Sequence, residues 1–504
     1  MKESARSNKK PCASSTESWE RTSPRPPGTP LYLHIPFCQT LCPYCDFYSV
    51  LGAGRDPAAL VDALLAEARL HAPPAPSTVY LGGGTPTFLP PGELSRLLDG
   101  LDKQTGFRSS ASEVSAECNP ESLSQETAAA LVAGGVTRLS LGIQSLRDET
   151  LTFLGRPHNR DQALAAYDIA RAAQPRSLGL DLIYAVPGLS TEAWRADLAT
   201  ALGLGPDHLS AYALTWEEGT ALRSRQGQPG HHPASETVEL EQFWLTRELA
   251  WEAGLDAYEV SNFARSGHEC AHNVNYWRNG AYIGLGPSAV SRWKTRRWGN
   301  QRDLQAWSSA LAAERPTPPA WEEELAPRAR LGESWWLGLR LASGVCPAAL
   351  RESVGLSEAE DTCLPKARAL LDQGLLEEVP PAELPPAELP PAELPPAELP
   401  PAELPPAELP PAELPPVELP PVELPPVELP PAERPPAELP PVELPPVELP
   451  PAELPPGQPQ PTELPPAALP PLDPPPRLRL SRRGLPLADA IGREFLELPS
   501  ATDS

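Results

Sequence analysis

The sequence predicts an α/β protein. Its main body reads as an open (β/α)6 barrel, a partial TIM barrel, followed by a winged-helix-like C-terminal domain that a disordered Pro/Glu-rich repeat interrupts. Three observations predict this. Short apolar runs alternate with helix-length amphipathic runs between residues 30 and 214. The residues with most chemistry lie just past the ends of those runs, where an α/β barrel carries its sites. With the repeat set aside, the last third reads as three helices, a two-stranded hairpin and a closing helix. A doubly wound flat sheet is the competing architecture.

Residues 1–29 are rich in Ser, Pro and charge and read as a disordered arm without the apolar core of a signal peptide. The barrel is assigned to 30–234. Its strands are expected at 31–37 (LYLHIPF), 78–82, 112–117, 138–143, 178–184 and 208–214. Helices are expected between them at 57–71, 91–102, 124–133, 160–173 and 191–202. Strands alternating with helices imply a parallel sheet with helices outside it. An accessory region, 235–319, opens with a long amphipathic helix at 235–253 and carries the run HNVNYW. Residues 320–379 plus 477–497 form the winged-helix-like domain. It has no strongly basic recognition helix, so it reads as a packing module rather than a DNA reader.

The insertion at 380–476 contains fifteen consecutive pentads, PPAEL or PPVEL, with Arg434 in place of one Leu. Paired prolines remove backbone donors and bias their neighbours to extended geometry, so neither helix nor sheet is expected there. The pentads hold 30 of the 71 prolines, and their 15 glutamates face a single arginine. They therefore supply more than half of the net charge of −25. An acidic balance of this kind excludes a basic nucleic-acid protein. No run approaches the ~20 apolar residues of a membrane span. A cytoplasmic location is the expectation, and the eight cysteines then read as ligands or buried thiols rather than disulfides.

Chemistry concentrates in Cys38-Gln-Thr-Leu-Cys42-Pro-Tyr-Cys45, three thiols within eight residues directly after the first strand. Zinc would want a fourth ligand, and His34 is the near candidate. A [4Fe-4S] cluster held by only three cysteines keeps one iron open to an outside ligand. Gly82-Gly83-Gly84-Thr85-Pro86-Thr87 follows the second strand, where bare backbone can approach a ligand and offer N–H groups to a carboxylate. Glu117, Gln144 and Asp181 stand at or near the ends of the third, fourth and fifth strands. Arg156, in LGRPHN, could clasp a carboxylate.

The C-x3-C-x2-C spacing after a first barrel strand resembles the radical S-adenosylmethionine (SAM) family. Within it, LYLHIPFC, CDFY, VYLGGGTPT, SAECNPESL, RLSLGIQS, LGRPH, DLIYAVPG, YEVSNFA, HNVNYWRNG and YIGLGPSA resemble the branch of oxygen-independent coproporphyrinogen III oxidase and its haem-chaperone relatives. The resemblance covers 30–379 plus 477–496. It implies Cys38, Cys42 and Cys45 as ligands of one [4Fe-4S] cluster. It implies Tyr32, Tyr44, Gly83, Gly84, Thr85, Glu117, Gln144, Arg156 and Asp181 as SAM contacts.

Two features separate oxidase from chaperone. The oxidases carry a further cysteine two residues after the third, where this chain reads Cys45-Asp46-Phe47. His272-Asn273-Val274-Asn275-Tyr276-Trp277 resembles the H-N-x-x-Y-W run of the chaperones. A neutral imidazole suits haem iron, and Tyr and Trp offer flat faces to a macrocycle. His272 is therefore expected to bind haem, with Cys270 as rival ligand. The implied cofactors are the cluster and SAM, with haem as cargo. The implied partners are haem and apo-haemoprotein acceptors, a weak association with membrane haemoproteins being left open, and no nucleic acid.

Overall fold

The computed structural model describes residues 26–312, 318–379 and 476–496. Most of the arm expected at 1–29, and all but the last residue of the insertion expected at 380–476, lie outside the described residues.

Six strands stand side by side in chain order: Leu31–Ile35, Thr78–Gly83, Glu113–Cys118, Arg138–Gln144, Ser177–Tyr184 and His208–Ala213. Every neighbouring pair among them is parallel. Both faces of a parallel sheet are covered, so its strands read as nearly continuous apolar runs. Leu31, Leu33, Ile35, Val79, Leu81, Leu139, Leu141, Leu178 and Leu180 are accordingly buried in one core.

The helices between strands start where side chains can receive orphan backbone donors. Asp56 accepts from Ala58 and Ala59 ahead of helix Pro57–His71. Asn159 and Gln162 cap each other at Arg160–Ala172, and Ser124, Ser190 and Ser235 cap Gln125–Ala133, Thr191–Gly203 and Glu236–Glu252. Pro57 and Pro91 occupy first turns, where a missing N–H costs nothing.

The first strand is shorter than expected. It stops at Ile35 because Pro36 cannot donate to a ladder, and Phe37–Cys38 pairs instead with Val50–Leu51. That second, small parallel pair closes the cysteine loop on itself. Strands from the accessory region, 235–319, lengthen the barrel sheet at both edges. Ile283–Leu285 adds in parallel beside the first strand. Asn262–Ala264 and Asp256–Ala257 add in antiparallel fashion beyond the sixth. The described sheet thus has nine strands and two free edges, an open partial barrel. Glu67, buried on helix Pro57–His71, fastens the parallel edge: it accepts from the Gly286 N–H at 2.6 Å, the Asn300 amide at 2.8 Å and the Trp307 indole at 3.2 Å.

A three-stranded antiparallel sheet, Val290–Trp293, Arg296–Gly299 and Trp321–Glu324, was not expected. Its outer strand, WEEE, lacks apolar alternation; cross-strand charges hold it, with Arg297 on Glu323 at 2.6 Å and Arg296 on Glu322.

The C-terminal module matches the winged-helix-like expectation. Helices Pro327–Gly338, Pro347–Ser353 and Cys363–Asp372 precede a hairpin of Leu376–Glu378 with Leu478–Leu480, and Ala488–Phe495 closes it. It has its own core, where Trp335 stacks on Phe495 with ring centres 4.9 Å apart.

Candidate functional site

The cysteine loop leaves the first strand at the end of the barrel where the strands terminate. Cys38 follows Phe37 in the short parallel pair, and the Cys45 N–H donates to the Cys42 carbonyl in a tight turn. The three thiols are part-exposed and unbridged. They lie close enough for Cys42 to raise the proton affinity of both others, although burial is the main cause. Burial pushes the Cys45 thiol up to about 11, so loading iron there must displace protons. Among the described residues no three His, Cys, Asp or Glu side chains converge on a single metal-ion position. A [4Fe-4S] cluster takes its cysteine thiolates on separate irons, so its ligands need not meet at one ion. His34 does not serve as a fourth ligand. Its Nε2 meets the Tyr48 carbonyl at 2.8 Å and its Nδ1 meets the Tyr32 hydroxyl at 3.1 Å.

Two of the sulfurs have a donor that comes from outside the loop, one just past the second strand and one past the helix Asp148–Phe153. The Thr85 hydroxyl lies 3.5 Å from Cys38 Sγ, and Arg156 Nη1 lies 3.5 Å from Cys42 Sγ. Tyr44 sits inside the same loop, hydrogen-bonded to Cys42.

The glycine run works differently from the sequence expectation. The Gly83 N–H donates to Glu117 Oε2 at 3.0 Å, Gly84 to the Ile35 carbonyl at 2.9 Å and Thr85 to the Phe37 carbonyl at 2.8 Å. The N–H groups expected to face a ligand carboxylate are therefore spent inside the protein. Close approach explains the glycines: a Cβ on Gly83, where φ is +98°, would sit 2.3 Å from the His34 ring, and one on Gly84 would sit 2.6 Å from the Ile35 carbonyl oxygen.

Glu117 also accepts from the Tyr80 hydroxyl at 2.9 Å. Burial, aided by the Asp181 carboxylate, pushes its carboxyl up to about 7. Burial raises Asp181 too, against hydrogen bonds from Ser210 and Ser140. Gln144 follows a register shift in the fourth strand and adopts φ of +63°, a left-handed conformation rare outside glycine. Tyr32 stacks on Tyr80 with ring centres 6.1 Å apart. The structure thus gathers Tyr32, Gly83, Gly84, Thr85, Glu117 and Asp181 with the cysteine loop at one end of the sheet, together with Arg156. Two carboxyl groups, a guanidinium and aromatic faces there suit a ligand that carries an ammonium, a carboxylate and a nucleoside.

The run His272–Trp277 forms the short helix Ala271–Trp277, wedged between the second barrel strand and helix Pro327–Gly338. Its imidazole is 0% exposed. Nδ1 meets the Thr78 hydroxyl at 2.8 Å, Nε2 meets the Tyr276 hydroxyl at 2.9 Å, and the Tyr80 ring lies 5.2 Å away. Burial lowers its pKa to about 4, so the ring is neutral. Both nitrogens are engaged, and in this arrangement neither faces an incoming iron. Cys270 is enclosed as well: its thiol donates to Glu113 Oε1 at 3.4 Å, and burial keeps it protonated. Sequence reasoning missed Glu113, which also accepts from the Ala271 and His272 N–H groups and pairs with Arg138 at 3.1 Å. It also missed Tyr80, which touches Glu117 by its hydroxyl and His272 by its face, and Asn119. All three lie in or beside the quoted strand phrases, but chain position alone did not set them apart.

A family model described as the radical SAM superfamily matches residues 32–201. That family implies a [4Fe-4S] cluster and SAM, the cluster supplying an electron to the sulfonium when both are bound. The structure of Escherichia coli coproporphyrinogen III oxidase, HemN, aligns with a TM-score of 0.63 at 23% identity, over 72% of this chain and 88% of that one, a likeness of fold. The haem chaperone HemW of Bacillus subtilis is 32% identical over 330 residues, 65% of this chain and 87% of that protein. HemW of Mycobacterium tuberculosis is 38% identical over 360 residues, 70% of this chain and 90% of that protein. With a relative so fully covered and the cysteine loop standing at the mouth of an open barrel, the chain belongs to the HemW family of radical SAM proteins.

Proposed function

We propose that the protein is a haem chaperone in its own right. It binds haem and hands it to apo-haemoproteins, with one [4Fe-4S] cluster on Cys38, Cys42 and Cys45 required for transfer. SAM is held by Tyr32, Tyr44, Gly83, Gly84, Thr85, Glu117, Gln144, Arg156 and Asp181. The observation that carries the reading is Phe47: it stands 71% exposed on the cysteine loop, where the oxidase pattern has its further cysteine. An apolar ring at that place supplies no thiol to the decarboxylation chemistry and offers a face to a macrocycle. Within the same proposal His272 ligates haem iron, once the Tyr276 hydroxyl has moved off Nε2. The neutral imidazole and the nearby Tyr276–Tyr282 ring pair, 4.6 Å between centres, support it. Among the described residues no helix is long and apolar enough to cross a membrane. A cytoplasmic site of action, with acceptors that include membrane haemoproteins, belongs to the proposal.

The test uses one anaerobically reconstituted sample. Haem should give a Soret band of protein-ligated haem, and the loaded protein should activate an apo-haemoprotein. SAM, dithionite and coproporphyrinogen III should give no protoporphyrinogen above background. Turnover dependent on Cys42 would overturn the chaperone reading in favour of the oxidase.

A further inference from the structure

The two sulfur contacts described above are joined behind the loop by one residue. Asn119, just past the third strand, donates its Nδ2 to Thr85 Oγ1 at 2.8 Å and accepts Arg156 Nη2 on its Oδ1 at 2.8 Å. Thr85 turns its hydroxyl proton to Cys38, and Arg156 turns its Nη1 to Cys42. The result is a continuous belt, Cys38–Thr85–Asn119–Arg156–Cys42. Thr85 is buried and the Arg156 side chain is 6% exposed, so water does not substitute for the belt's bonds. The space for Asn119 is built in: a Cβ on Gly142 would sit 2.9 Å from its Oδ1. Arg156 is further fixed by the Gly142 carbonyl at 3.0 Å and by Glu121 at 3.6 Å. Both ends of the Asn119 amide are used within the protein, so its part is orientation.

We propose that Asn119 is a positioning residue that aims one hydroxyl and one guanidinium at two of the three cluster ligands and thereby raises the cluster's reduction potential. Hydrogen bonds to ligating sulfurs withdraw electron density and favour the more negative, reduced cluster. Cys45 stands outside the belt and takes a backbone hydrogen bond from Phe47 instead, so the belt acts through Cys38 and Cys42 alone. The inference rests on the cluster and is independent of haem.

The experiment is redox titration of the reconstituted full chain without SAM, read by EPR and iron content. Asn119→Ala leaves the Arg156 charge in the protein and removes only the aim. It should keep about four irons per chain while its potential moves negative and the spectrum of the reduced cluster changes. Full iron with an unchanged potential and spectrum would overturn the proposal. Should Asn119→Ala fail to load iron, Thr85→Ser and Thr85→Val decide. Serine, which keeps the hydroxyl, should match the parent, and valine should lie more negative. Equal potentials in the two, or loss of iron with serine, would overturn it as well.

Discussion

The cysteine loop and the His272 helix carry the two motifs that stand out in the sequence, and they are built in opposite ways. The loop is held at its edges by a two-residue parallel pair and leaves its three thiols part-exposed, with charged and hydroxyl groups aimed at two of them. The helix is held through its centre: Glu113 takes its first N–H groups, Thr78 and Tyr276 take both imidazole nitrogens, and the ring has no exposure. A spacing motif names residues that share a place. Whether their lone pairs face solvent or each other is decided by the surrounding strands, and here the two outcomes lie in the same barrel.

Breaking the loop should have the largest effect. Cys42→Ala should abolish cluster loading, from about four irons per chain to background, measured after anaerobic reconstitution. Retained iron would show that the loop is not the cluster site. Breaking the helix should instead cost stability while iron stays. His272→Ala removes a buried ring and strands two hydroxyls, a loss of about 3 kcal/mol visible in denaturant melts. Tyr276→Phe sharpens the contrast, because it frees Nε2 and costs only about 1 kcal/mol. If the imidazole ligates haem, His272→Ala should weaken the Soret band and Tyr276→Phe should strengthen it. If Cys270 is the ligand, Cys270→Ser should have the larger effect instead.

The same contrast explains what was legible in the chain. The six parallel strands and their helices were readable because buried parallel strands are apolar on both faces, and strand ends fall within a residue or two of the apolar runs. The edge strands at 256–264 and the WEEE strand were not, because pairing to a sheet edge or by charge leaves no apolar period. The cysteine loop was legible because ligand spacing is local in sequence. Asn119 and Glu113 were not. Their partners lie 34, 37 and up to 159 residues away, and a polar side chain at a strand end looks the same whether it faces solvent or completes a network.

Glu117 gives a smaller, pH-dependent test of the proposed SAM contacts. Its carboxyl, pushed up to about 7, is mostly neutral at pH 6 and mostly ionised at pH 8. A cationic ligand prefers the carboxylate, so its affinity should rise with pH through 7 and level off above. SAM should bind about tenfold more weakly at pH 6 than at pH 8 by calorimetry. Glu117→Gln should bind weakly and without that slope. An unchanged slope in the variant would place the titrating group elsewhere.

The smallest effect is expected from removing the largest piece of sequence. Residues 380–476 leave and rejoin the C-terminal hairpin, whose strands Leu376–Glu378 and Leu478–Leu480 pair through Glu378 with Leu478. Beyond the ladder, the Val379 N–H still donates to the Arg477 carbonyl at 2.9 Å, and Arg477 reaches the carbonyls of Ser343 and Gly344. The two ends are thus held together by the module itself. Closing a loop of 97 residues rather than a four-residue turn costs entropy that grows only with the logarithm of length, roughly 3 kcal/mol at most. Replacing 380–476 by a Gly/Asn turn should therefore raise Tm by a few degrees or leave it unchanged, with iron content and haem titration as in the full chain. A fall in Tm, or lost haem binding, would mean that the pentads contribute contacts of their own, and the repeat would then belong to the working protein rather than to the tolerance of an exposed hairpin.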